Sequence, residues 1–345
     1  MPGQIESDLI SVIVPVYNTA DFLDQCIGSV ISQTHRNLDI ILVNDGSSDS
    51  SGEICANYSL IDSRIRVVNQ ENLGPGAARN VGMMLAKGTL ISFVDSDDYI
   101  AKIMYEHLLF SMICYDADIV ESGITEVYEN KQMIIKDSQE FLICSGKEAL
   151  KRKLTRKKGL SSPRGGVVAR LYKRALIEDL KFPEDRVFED NFFTYRSLLR
   201  AKRYCRVNQF MYFRNNTNVE SITKRPFSTR NLSIIDTCRE RKDYLREQGM
   251  IELADYAEMN YFLTMPLMYF KAQKHGMREE ANHILSLART HKRDILHSDM
   301  DILKKLRFFV WFFSPKMFLA IAHVYLSLEK LKNKLINRAR RMEVQ

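Results

Sequence analysis

The sequence predicts an α/β fold: a mostly parallel central sheet flanked by helices, with a C-terminal helical extension. Three observations predict it. Over the first hundred residues, short apolar runs alternate with stretches of helical period. That alternation marks strands buried on both faces and joined by right-handed crossover helices. Three of the runs end in polar clusters, and in parallel sheets ligands bind beyond the carboxyl ends of the strands. From about residue 226 onward the pattern is helical, without a convincing strand.

The elements follow in order. Strands are expected at Ile10–Val16, Leu38–Val43, Ile65–Val68 and Leu90–Val94. Between them, Ala20–Gln33 and Ala77–Ala86 carry apolar residues at helical spacing, and Gly88 fits a helix stop after the second. Farther on, Ala117–Val127 and Met133–Lys136 read as strands and Lys147–Leu154 as a short helix. Residues 151–174 are basic, with glycines and serines that suggest a mobile loop.

At 345 residues, with 45% hydrophobic and 27% charged side chains, the chain has the make-up of a packed soluble protein. Collagen-like, disordered and polytopic membrane classes are excluded. Charge is unevenly spread. Residues 1–150 hold nine basic and twenty-two acidic side chains; residues 151–345 hold forty-one and twenty-one. An acidic half that binds a phosphate-bearing ligand needs a cation to offset repulsion. A basic half suits an anionic partner. The six cysteines form no C-x-x-C pair and no signal-like segment precedes them, so free thiols in a reducing cytosol are expected.

The chemistry centres on Asp95-Ser96-Asp97-Asp98, three carboxylates in four residues at the end of an apolar run. Like charges this close raise one another's pKa, and a hard divalent cation such as Mn²⁺ or Mg²⁺ relieves the repulsion. Taken alone, the cluster equally suits a solvated turn, with Asp98 capping a helix that starts near Tyr99 or Ile100. Glu189-Asp190 sits among aromatics, where desolvation tunes a carboxylate as a base; taken alone, it also suits the first turn of a helix. Gly74-Pro75-Gly76 precedes a helix, but Arg79 stands where a dinucleotide fingerprint has a small residue.

Together, Val12–Asn18 (VIVPVYN), Val43–Asp49 (VNDGSSD), Asn72–Asn80 (NLGPGAARN), Phe93–Asp98 (FVDSDD) and Glu189–Asp190 resemble family 2 glycosyltransferases, which have the GT-A fold. The resemblance covers roughly residues 8–225. It implies a catalytic domain over 1–225, with a nucleotide-binding half at 1–115 and an acceptor half at 116–225. Residues 226–345 form a separate helical region. It further implies that Pro15, Tyr17, Asn18, Asp45, Arg79, Asp95 and Arg214 line the nucleotide site, with Asp45 facing the base. Asp97 and Asp95 would hold the metal, Asp98 and Glu189 would meet the donor sugar, and Asp190 would be the catalytic base. Tyr212-Phe213-Arg214, with Ser221-Ile222 downstream, looks like a segment that closes over the diphosphate. Val167–Tyr172 departs from the family pattern before its Lys-Leu-Tyr segment, which bears on the acceptor pocket.

The implied activity is inverting, metal-dependent transfer of a sugar from a nucleotide-sugar, with UDP the expected nucleotide, to a glycan or lipid-linked acceptor in polysaccharide synthesis. A non-catalytic nucleotide- or glycan-binding relative and a nucleotidyltransferase are the competing classes. Residues 308–326, followed by a basic segment, suit an amphipathic helix on an anionic membrane surface, giving a cytoplasmic protein peripheral to the inner face of the cell membrane. Packing on its own domain or against a second copy of the chain is the other use of that stripe. No nucleic-acid partner is expected.

Overall fold

The computed structural model describes residues 8–129, 133–135, 140–155, 166–184, 186–218, 227–298 and 302–321. The chain divides into two compact units, residues 1–225 and 226–345.

The first unit is built on one mixed sheet. Strands β1 (Ile10–Val16), β2 (Leu38–Asp45), β3 (Ile65–Gln70) and β4 (Leu90–Phe93) run parallel, with β1 between β2 and β4 and β3 outside β2. Helices α1 (Ala20–Ile31), α2 (Ser51–Ile61) and α3 (Pro75–Leu85) make the crossovers. Every residue of β2 is buried, as its continuous apolar run requires of a strand covered on both faces. Helix α1 buries Leu23, Cys26, Ile27 and Val30, one stripe at helical spacing.

Beyond β4 come β5 (Tyr99–Ile100), α4 (Met104–Cys114), β6 (Ile119–Val127), β7 (Met133–Ile135), β8 (Leu142–Cys144) and α5 (Gly146–Thr155). Then follow β9 (Arg170–Lys173), α6 (Arg174–Ile177), α7 (Glu189–Arg200) and β10 (Tyr204–Asn215). The sheet order is β3-β2-β1-β4-β9-β6-β10-β5. Strand β9 enters antiparallel to both β4 and β6, and β10 runs parallel to β6. Residues 156–165 of the expected loop lie outside the described residues.

Two local expectations are corrected. Gly88 is not a left-handed helix stop. Helix α3 ends at Leu85, and a Cβ on Gly88 would fall 2.5 Å from the Leu9 carbonyl and 2.6 Å from the Ser11 amide. The residue is a glycine because the chain passes against β1 there. Asp98 caps no helix either: Tyr99–Ile100 is a strand, and the next helix begins at Met104.

The segment that departs from the family pattern holds a buried charge network. Arg170 Nε and Arg206 Nη1 donate to the two oxygens of Glu121 at 2.6 and 2.8 Å, and all three side chains are buried. Arg170 also donates to Thr194 of α7, whose hydroxyl donates to the Gly166 carbonyl. Pairing with Glu121 offsets part of the cost of burying these charges, since a lone buried ion is costly.

Among its described residues the second unit has a 3-10 turn (Thr229–Leu232) and the helices α8 (Ser233–Glu247), α9 (Ile251–Lys274), α10 (Arg278–Thr290), α11 (Lys292–His297) and α12 (Ile302–Phe313). Residues 315–321 are helical as well. Its core gathers Tyr261, Phe262, Met265, Tyr269, Ile284, Trp311 and Phe318. Among the described residues, no helix is long and apolar enough to cross a membrane.

Candidate active site

Three loops meet at the carboxyl edge of β1, β2 and β4. Asn18 follows β1 with φ 50°, a left-handed conformation that Asn tolerates better than most residues. From there its backbone N–H donates to Ser47 Oγ and its Oδ1 accepts from the Ser48 amide at 2.8 Å. The Thr19 amide donates to Ser51 Oγ, and the Thr19 hydroxyl donates to Ser96 Oγ at 3.0 Å. Short polar side chains thus fasten the loop after β1 to those after β2 and β4. Pro15 is half-buried at the end of β1, and Tyr17 stands exposed beside the loop junction.

Asp45 ends β2 and is buried. Its Oδ1 accepts from Gln70 Nε2 and the Leu73 amide, and its Oδ2 from the Gly74 amide at 2.9 Å. Expected to face a base, this carboxylate is placed as the tie that fixes the loop leading into α3. Gly76 lies at the start of α3 because a Cβ there would stand 2.3 Å from the Pro183 carbonyl and 3.3 Å from Glu189 Cγ. The glycine lets the helix end approach the segment that carries Glu189.

One turn farther along α3, Arg79 is buried and forks. Nη1 donates to Glu189 Oε1 at 2.6 Å and Nη2 to Asp95 Oδ1 at 2.8 Å. Residues 95 and 189, far apart in sequence, are thereby joined through one guanidinium. Its Nε has no hydrogen-bond partner among the described residues. Glu189, expected at the donor sugar, is buried in this ion pair.

Asp190 follows it in the first turn of α7. Phe188, immediately before the helix, sits at φ 69° and ψ 27°. That conformation is strained for an aromatic residue, at a cost of about 1–3 kcal/mol, and such strain concentrates at functional sites. Asp190 Oδ1 accepts from the Asn191 amide at 2.7 Å. Burial, then the neighbouring Glu189 charge, push its carboxyl up to about 6, while Arg79 pulls the other way. A base poised near neutrality is what proton abstraction needs.

The DSDD turn is held from β10. Tyr212, fully buried, donates through its hydroxyl to Asp98 Oδ2 at 2.7 Å and accepts from the Asp95 amide at 3.1 Å. The Asn215 amide donates to Asp98 Oδ1 at 2.8 Å, and Asn218 Nδ2 to Asp97 Oδ2 at 2.9 Å. Asp98, expected at the donor sugar, is buried, accepts at both oxygens and fastens the turn to β10. Tyr212-Phe213-Arg214 is no closing segment but a strand paired with β5, with Phe213 stacked on Tyr99 at 4.8 Å. Ser221 and Ile222 lie outside the described residues. Arg214 Nη1 stands 3.7 Å from Glu126 Oε1, with its charge felt at Asp97.

Burial, then Asp95, raise the Asp97 carboxyl above its ordinary range. Asp95 is part-exposed and has one oxygen on Arg79. Among the described residues, no set of three or more acidic, His or Cys side chains is arranged to enclose a metal ion. What Asp95 and Asp97 could offer a cation is hard carboxylate oxygen. That fits Mg²⁺ or Mn²⁺, which complete their shell with water and substrate phosphates, and does not fit a closed protein cage.

Tyr212→Phe removes a hydroxyl from between two polar groups of the turn. Leaving Asp98 short of a donor is expected to cost about 1–3 kcal/mol, read as a lower denaturant midpoint. A midpoint equal to that of the unaltered chain would show that the hydroxyl carries no such load.

The sequence profile of glycosyl transferase family 2 matches residues 11–181. Glycosyltransferase GlyG of Streptococcus pneumoniae is 36% identical over 213 residues, which are 60% of this chain and 70% of that protein. A cholesterol galactosyltransferase of Borreliella burgdorferi is 24% identical over 339 residues, 90% of this chain and 94% of that one. S. aureus TarS 1–349, solved in complex with UDP-GlcNAc, aligns with a TM-score of 0.55 at 20% identity, over 88% of this chain and 71% of that chain. The TarS likeness bears out the expected fold. Across three of the curated relatives, the match takes in 30%, 70% and 64% of their length. With the family profile, the GlyG match and the motifs in agreement, the chain belongs to glycosyl transferase family 2.

Proposed function

We propose that the chain transfers a sugar from a UDP-sugar to a hydroxyl of a glycan or lipid-linked acceptor, with inversion at the anomeric carbon and with a divalent cation at Asp95 and Asp97. The observation that carries this reading is the Arg79 fork, which joins the DSDD turn to the segment bearing Asp190. The UDP-GlcNAc bound to TarS supports a nucleotide-sugar donor. The cholesterol acceptor in the name of the Borreliella relative supports a lipid or lipid-linked acceptor. Polysaccharide synthesis at the inner face of the cell membrane is the setting this assigns.

Each residue then has a task. Tyr17, Asn18 and the loop tied down by Asp45 wall the nucleotide end, and Pro15 shapes the strand end beneath it. Arg79 holds Glu189 and Asp95 in place, and Arg214 adds positive charge beside the carboxylates. When bound, the cation supplies charge neutralisation for the departing diphosphate. Asp190 takes the proton of the acceptor hydroxyl. The freed oxygen forms its bond to the anomeric carbon as the bond to the diphosphate breaks on the opposite face. One displacement inverts the centre, and no second carboxylate is needed as nucleophile.

A panel of nucleotide sugars incubated with the chain and Mn²⁺, read by product mass and by nucleotide release, tests the reading. Transfer to an acceptor, or slow hydrolysis of one UDP-sugar, is expected. Consumption of UTP and a sugar phosphate with pyrophosphate release would contradict it.

A further inference from the structure

Helix α12 is apolar on two faces. Phe308, Trp311 and Phe312 point into the core of the helical unit. On the other side, Ile302, Leu306, Phe309 and Phe313 recur at steps of four, three and four, a single stripe along the helix. They are exposed at 71%, 51%, 51% and 65%, and Met317 and Ile321 beyond them are exposed as well. Single exposed apolar residues are ordinary, but a contiguous row of large ones marks a surface that something covers.

The surrounding charge says what covers it. Arg307 and Lys316 are exposed and Lys305 is part-exposed, all on the helical segment that presents the stripe. Lys292 Nζ lies 5.1 Å from the centre of the Phe313 ring. Residues 302–345 contain ten basic and two acidic side chains. A row of Phe, Leu and Ile flanked by cations is the composition of a helix lying in the boundary of an anionic bilayer, its rings among the acyl chains and its cations at the headgroups. A copy of the same surface would bring like charges together.

We infer that the outward face of α12, continued by Met317 and Ile321, is a docking surface for a lipid bilayer rich in anionic headgroups. The inference rests on the reading of the chain as a membrane-associated transferase and deepens it: the contact is made by described residues 302–321, ahead of the basic segment that follows. Part of the stripe expected from the sequence, from residue 322 on, lies outside the described residues.

The test is co-flotation of the full chain with vesicles of phosphatidylcholine alone or of phosphatidylcholine with phosphatidylglycerol. Binding to the anionic vesicles is expected, with little to the neutral ones, and with a loss on raising salt. Phe309→Ser with Phe313→Ser should weaken that binding by about tenfold or more. Arg307→Glu with Lys316→Glu should weaken it without changing the apolar stripe. No binding to anionic vesicles, or binding undiminished in the double Ser variant, would overturn the inference. So would a dimer that the double Ser variant dissociates while vesicle binding persists, because the face would then belong to a second copy. UDP-sugar hydrolysis measured without lipid keeps the two readings apart. Hydrolysis with no flotation removes only the docking surface; flotation with no hydrolysis removes only the transferase.

Discussion

Asp190→Asn is expected to lower sugar transfer by about 10²–10⁴-fold, the usual worth of a positioned base, while UDP affinity stays nearly unchanged. The amide keeps the shape and still accepts from the Asn191 amide, but cannot take a proton. The pH dependence follows from the same environment. The carboxyl lies near 6 because burial and Glu189 disfavour its charge. As the base it works ionised, so kcat/KM should fall as pH drops through about 6, and the variant's residual activity should lack that limb. The folding linkage has the opposite sense. A carboxyl raised above its unfolded value favours the fold at low pH, and that contribution fades as pH rises through about 6. At pH 7 the variant should therefore melt no lower than the unaltered chain. Full activity in Asp190→Asn would remove the residue from its role.

Arg79→Met is expected to cost both stability and nucleotide binding. Glu189 is buried and would lose its partner, and breaking such a pair typically costs about 3–5 kcal/mol. The Asp95 arm is part-exposed and adds less, because solvent screens it. Arg79→Lys should recover only part of the loss: an ammonium cannot present two planar N–H groups to two carboxylates at once. Adding Glu189→Leu to Arg79→Met removes the stranded charge, so the denaturant midpoint should return while activity does not. Recovery of both together would mean that Arg79 acts only on folding.

The two predictions mark where sequence reading succeeded and where it stopped. Strands β1, β2 and β4 were legible because each is built around a run of buried apolar residues, and β1 and β2 fall where the runs at Ile10 and Leu38 place them. The loops at their carboxyl ends were legible because Asn18, Asp45 and the Asp95–Asp98 turn follow those runs directly. Strand β9 was not: two of its four residues are charged, and the carboxylate that pairs with buried Arg170 is Glu121 of another strand. Two-residue β5 has no periodicity to read, and β10 changes register along its length.

Nor does local pattern distinguish three aspartates within four residues by where they turn. Asp98 points to Tyr212 and Asn215, partners more than a hundred residues away. Asn218, equally remote from Asp97, carries no signal of its own in the sequence. The same holds for Arg79, whose place just inside a helix after Gly74-Pro75-Gly76 names neither of its partners. Glu189 and Asp95 are brought to it by folding, and Gly76 lets the distant segment come near.

The account stands on one shared centre, with the Asp97 carboxylate at the diphosphate end and Asp190 at the acceptor end of a site spanned by Arg79. Calorimetric titration of UDP into the chain, into Asp97→Asn and into Asp190→Asn, each with and without Mn²⁺, tests it most directly. UDP binding strengthened by Mn²⁺ in the unaltered chain and in Asp190→Asn, but not in Asp97→Asn, is the result predicted. Equal strengthening in Asp97→Asn, or no UDP binding by the unaltered chain, would contradict it.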